Sequence, residues 1–255
     1  MATMQNNIFG RSGNPTLTTN VFENEANVQS AKVMTIQGTV NKCFLLLAIV
    51  FAGAYLSWQM TGSQEEYTNM IPYLIGSGIA GFILAMVTVF NKKASPLTAP
   101  VYSLVEGFFL GIISLFFERM YPGIVTQAVS LTFGILLSLL LVYKLRIIKV
   151  TMNFRLGVAA ATGGLVLLYL FNFVLRLFGM SVPFIHESSL LGIGFSLFVI
   201  VIASLNLVLD FDFIERGAEV GAPKYMEWYG AFGLMVTLIW LYIEILRLLS
   251  KLRKR

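Results

Sequence analysis

Charge is scarce in this chain. Of its 255 residues only 12% are Asp, Glu, Lys or Arg, about half the share of a soluble domain. By contrast 57% are hydrophobic and the mean hydropathy is +0.78. So little polar surface places the chain in a membrane. Cysteine occurs once, at Cys43, so no disulfide can form within one chain. Histidine also occurs once, at His186 in an expected loop, which excludes a multi-histidine metal or haem site. No secretory signal is expected before Asn41, because that stretch has neither a basic start nor an apolar core. The net charge of +5 does not point to nucleic acid. The basic residues lie in short clusters at the ends of apolar runs, where topology signals belong.

What the chain has instead is apolar length. Residues 1–40 are polar and read as a flexible tail, with a short amphipathic piece near 27–38. Apolar runs of about 20 residues then recur, the length that crosses a hydrocarbon core of roughly 30 Å. They predict seven helices near 42–60, 71–90, 98–117, 124–143, 157–178, 189–210 and 229–249, within a membrane domain of 41–250 and ahead of a basic tail at 251–255. Short connections force antiparallel neighbours in an all-α bundle. Eleven Lys and Arg residues fall on the side of the tail and the even-numbered links, against Arg119 and Arg176 on the other. That bias predicts a multi-pass cell-membrane protein with a cytoplasmic N-terminus. The closing KLRKR opposes it, since seven crossings leave the basic end outside.

Small residues mark expected close approaches between helices: Gly76, Ser77, Gly78 and Gly81 in the second span, Ser103, Gly107 and Gly111 in the third, and Gly157 with Gly163 and Gly164 in the fifth.

A carboxylate at membrane depth is expensive, so each one is a functional hypothesis. Asp210 ends the sixth span, four residues after Asn206 and therefore on the same helical face. It is either a buried titrating group, its charge set by desolvation against a nearby cation, or a solvated acid at a helix end. Asp212 points about 200° away from it, towards the cytoplasmic rim. Glu244 stands in FGLMVTLIWLYIEILRLL with no other charge before Arg247, three residues on, which makes a local ion pair the plainer alternative to a bundle-facing acid. Glu106 lies beside Gly107, where it could bond a neighbouring backbone. Lys92 and Lys93 end the second span on the side of Asp210, as latch partners or as topology signals.

Enzyme classes fit poorly. A serine protease needs a membrane-embedded base for its nucleophile, and an aspartic protease needs two Asp on separate helices. No phosphate loop or metal-ligand spacing occurs.

The segments MTIQGTVNKCFLLL, APVYSLVEGFFLGIISLFFE, YPGIVTQAVSLTFG, SLNLVLDFDFIERG and LYIEILRLL together resemble the Bax-inhibitor family, in particular its bacterial branch with a long polar tail. The resemblance spans most of 34–250. It implies a seven-helix fold with the last helix enclosed by the other six, in the bacterial inner membrane, and a pH-sensitive calcium leak. It also implies a proton-sensing acid pair, which falls on Asp210 and Glu244, and a basic latch near Lys92 or Lys93. Lys stands where that family's Arg is expected and lacks its bidentate fork. A further departure is that 34 residues separate the two acids, a depth mismatch of roughly 13 Å at 1.5 Å per residue.

The resulting expectation is a calcium leak without cofactors, in which Asp210 and Glu244 offer at most a weak calcium site. Calcium prefers six to eight oxygen ligands, and weak binding suits conduction. The rival from another class is a regulatory protein that restrains a membrane protease or stress pathway, with the tail as its binding element. A proton-coupled transporter would show paired Gly/Pro-broken helices, which are not seen.

Overall fold

The computed structural model describes residues 33–60, 70–180 and 187–254. Half of the amphipathic piece expected at 27–38 lies outside them, as do most of the polar tail and His186. Among the described residues seven helices are long and apolar enough to cross a membrane: α1 Ile36–Met60, α2 Met70–Phe90, α3 Ser95–Met120, α4 Ile124–Lys144, α5 Met152–Leu177, α6 Leu190–Glu219 and α7 Met226–Arg253. A 3-10 turn, Lys92–Ala94, joins α2 to α3. Among the described residues there is no strand, only an isolated bridge between Val33 and Pro223. The chain is an all-α membrane protein.

Local chemistry sets several helix starts. Thr151 and Ser189 cap α5 and α6, their hydroxyls accepting from the amides of Phe154 and Gly192 at 3.2 Å. At α4 the cap comes from the preceding helix. Glu118 accepts from the amides of Gly123, at 2.5 Å, and Val125, at 3.0 Å, so a carboxylate meets the positive end of the helix dipole.

The main departure from the expected spans is α6, which continues nine residues past Asp210. The stretch FDFIERGAE looks polar enough to be a link. It stays helical because Asp212 pairs with Arg155 and Arg216, and the true turn is confined to 220–225. Likewise α1 begins at Ile36 and α7 ends at Arg253, beyond the expected domain edges.

Burial identifies the central helix: 67% of the most apolar window of α7 is buried, against 11% for α2. α7 packs on α1, α3, α4 and α6, and Tyr169 reaches it from α5. α2 packs chiefly on α3. The core runs along α7 through Phe232, Met235, Leu241 and Leu246, with Tyr102 of α3 edge-on to Phe232 at 4.9 Å.

The tightest seam is α1 against α3. A Cβ on Gly107 would lie 2.3 Å from the Val50 carbonyl oxygen, and one on Gly111 would lie 1.9 Å from Ser57 Oγ. The small-residue stripe of the third span is thus a close backbone approach. That of the fifth is not: a Cβ on Gly157, Gly163 or Gly164 meets nothing within 4 Å. Those glycines lie off the buried face of α5, which carries Arg155, Val158, Thr162, Leu165 and Asn172.

Candidate functional site

Three residues of α5 are spaced by seven: Arg155, Thr162 and Tyr169. Seven residues are nearly two helical turns, so the three share one face. Each meets a polar partner from α6 or α7. Arg155 Nη2 donates to Asp212 Oδ2 at 2.7 Å, Thr162 Oγ1 accepts from Asn206 Nδ2 at 2.8 Å, and Tyr169 Oη donates to Glu244 Oε1 at 3.0 Å. The result is a ladder of polar rungs rising through the bundle between α5, α6 and α7.

The bottom rung is ionic. Arg155 is buried and Asp212 nearly so, and Arg216 Nε donates to the other carboxylate oxygen at 3.1 Å. Tyr143 of α4 adds a short hydrogen bond to Glu215 one turn away. At the top rung Arg247 Nη1 donates to Glu244 Oε1 at 2.7 Å and to Tyr169 Oη at 3.1 Å, with its guanidinium 5.7 Å from the Tyr169 ring centre. Beyond it, buried Lys251 donates to the Gly192 carbonyl and to Ser196 Oγ, both at 2.8 Å. Two buried oxygens along the ladder, Asn206 Oδ1 and Glu244 Oε2, accept no hydrogen bond from the described residues. In a dry interior such acceptors are costly unless water, a proton or a cation reaches them.

Asp210 is fully buried. It lies on another face of α6 from Asp212, as two-residue spacing requires.

The α7 entry carries a further carboxylate. Glu227, fully buried, accepts from the Thr35 amide and hydroxyl at 2.9 Å each, from Lys224 at 2.6 Å and from Lys42 in a very short contact. A Cβ on Gly38 would collide with it. The Met34 amide donates to the Ala222 carbonyl at 2.7 Å beside it, so the residues just before α1 are clamped to the start of the central helix.

The Bax inhibitor 1 like family model matches residues 14–254, nearly the whole chain. The chain belongs to the Bax inhibitor 1 like family. Comparison with curated proteins and with solved structures returned no match. This membership, with seven spanning helices, makes the chain a multi-pass membrane protein.

Within this Bax inhibitor framework the expected site residues do not gather in one place. Glu244, Arg247 and Asn206 join the ladder. Asn206 bonds Thr162 and its own helix's Ile202 carbonyl. Asp212, expected at the cytoplasmic rim, pairs with both Arg155 and Arg216. Glu106 lies on the α2–α3 seam, its carboxylate filling the space where Gly81 lacks a side chain, 2.5 Å from an added Cβ. Of the latch candidates, Lys92 is half-buried and Lys93 exposed. Counted from the α6–α7 turn, Asp210 lies nine residues deep and Glu244 eighteen, which separates them by about 13 Å along the bundle. Among the described residues no three acidic, Cys or His side chains converge to hold a metal ion.

Arg155, Tyr169, Thr162, Lys42 and Glu227 were not among the expected site residues. The signal for Arg155, Thr162 and Tyr169 was their seven-residue spacing along one helix. For Glu227 it was an acid in the first turn of the last helix, where the dipole favours one.

Proposed function

We propose that this Bax inhibitor 1 like protein is a pH-sensitive cation leak, with calcium as the permeant ion and membrane-embedded carboxylates as the sensor. Its N-terminus lies in the cytoplasm, and the reading is non-enzymatic. The observation that carries it is the Glu244 rung. A carboxylate buried on the central helix is held by one arginine and one tyrosine, while its second oxygen accepts no hydrogen bond from the described residues.

In this mechanism protonation of Glu244 weakens its charge-assisted bond to Arg247, which leaves that guanidinium to Tyr169 or to water. A change of one charge on a buried element biases two helix arrangements by a few kcal/mol. Asp210, on the same hairpin but about 13 Å away along the bundle, acts as a second, separate titrating site rather than as a direct partner. Calcium is cargo here, passed weakly by carboxylates, carbonyls and water.

Family membership and the buried acids support this reading. The test is calcium flux into vesicles holding the purified protein. Glu244→Gln removes the pH dependence of flux; an unaltered pH profile in that variant overturns the sensor.

The second reading is a membrane regulatory protein that restrains a protease or stress pathway without conducting. The clamp of Met34 and Thr35 on Ala222 and Glu227 favours it, because it links the tail to the central helix. On that reading deletion of the tail abolishes the cellular function while flux is unaffected.

A further inference from the structure

A cavity of 280 Å³ runs beside the middle of α7, away from the polar ladder. Its floor is Met235, Leu238 and Tyr242 of α7, and its walls include Phe51 of α1 and Val129 of α4. The lining is almost wholly apolar. Ser114 and Tyr242, which border it, use their hydroxyls on each other at 2.6 Å. The cavity is also long. Its α1 side runs from Leu47 to Trp58, roughly 16 Å at 1.5 Å per residue. One leaflet of a bilayer core is about 15 Å deep.

The cavity opens sideways between α1 and α4, where Phe51 and Phe133 stack across the gap at 6.3 Å. Its lip is continuous with the lipid-facing surface: Phe51 and Tyr55 are exposed, and in a membrane they face hydrocarbon. A slot parallel to the helices, apolar, one leaflet deep and open to lipid has the shape and polarity of a single acyl chain. We propose that one acyl chain of a bilayer phospholipid occupies this slot, entering between α1 and α4 and packing against Leu238 and Tyr242 of α7.

This assignment does not depend on ion conduction. It adds a lipid contact to the helix that carries Glu244, two residues from Tyr242 in the cavity wall.

The test uses the full chain in phosphatidylcholine and phosphatidylglycerol vesicles, with a phospholipid bearing a diazirine midway along one acyl chain. After photolysis, peptide mass spectrometry locates the label. Leu238, Ile239 and Tyr242 are 5%, 9% and 8% exposed and line the cavity, so lipid reaches them only through the slot. The proposal expects label on these residues as well as on lipid-facing Phe82 and Leu167. Val129→Trp, which fills the slot, lowers the α7 label about tenfold and leaves Phe82 and Leu167 labelled as before. Label confined to exposed residues in the wild type overturns the proposal, with no variant needed. Label on α7 that free fatty acid displaces completely overturns it in favour of a free acid. Label that appears only when the chain self-associates overturns it in favour of a second copy.

Discussion

Tyr169 Oη lies 3.0 Å from Glu244 Oε1, and Arg247 Nη1 reaches both atoms, at 3.1 Å and 2.7 Å. Three polar groups from α5 and α7 thus close a triangle inside an otherwise apolar bundle. Glu244 is positioned by the helix beside it as well as by its own helix. Tyr169→Phe removes one hydrogen bond to a charged group, worth about 1.5–3 kcal/mol, and leaves the Arg247 pair. The expected outcome is a shifted but still present pH dependence of calcium flux. An unshifted profile means that Tyr169 does not bear on the sensor.

The Arg155–Asp212 pair is mostly buried, so removing the acid strands the Arg155 charge, whereas removing Arg155 leaves Asp212 its second partner, Arg216. Asp212→Leu is expected to destabilise by about 3–5 kcal/mol, whereas replacing both partners by apolar residues of similar size costs far less. Thermal unfolding in detergent of Arg155→Met, Asp212→Leu and the double variant checks this. A double variant as unstable as the sum of the singles contradicts a coupled pair.

Glycine positions divide sharply. Gly107→Val drives a side chain into the α1 backbone and is expected to cost about 1–3 kcal/mol or more by overpacking. Gly163→Ala meets no neighbour and is expected to be neutral or stabilising by about 0.5–1 kcal/mol. Melting temperatures of the two variants, measured side by side, decide it.

Glu227 closes the clamp at the α7 entry. Glu227→Ala leaves Lys42 and the Thr35 amide without their acceptor. Hydrogen exchange at the Thr35 and Met34 amides is expected to rise at least about tenfold, the loss of one to two hydrogen bonds to a charged group. Unchanged protection at both amides means that the segment is held by other contacts.

The seven crossings were legible because each is a run of about 20 apolar residues, a pattern that few soluble folds produce. The end of α6 was not. Asp212, Glu215 and Arg216 resemble a loop in one dimension, and only their partners Arg155 and Tyr143, from α5 and α4, show that the charges are satisfied within a helix. The Glu244–Arg247 pair was readable because its partners are three residues apart. The partnership of Lys42 with Glu227 spans 185 residues, and no local spacing announces it. Glycine stripes were readable as small residues but not as contacts, since whether a neighbour fills the gap is a property of the bundle. Gly107 and Gly163 look alike in sequence and differ entirely in surroundings.

The most direct measurement is calcium flux into liposomes holding the purified protein, from about pH 6 to about pH 8, for wild type, Asp210→Asn and Glu244→Gln. The account predicts a pH-dependent flux in the wild type. Each neutral variant should hold, across that range, a flux close to the wild-type value at the acid end. A folded wild-type protein that passes no calcium at any pH, or variants that keep the full pH dependence, would contradict it.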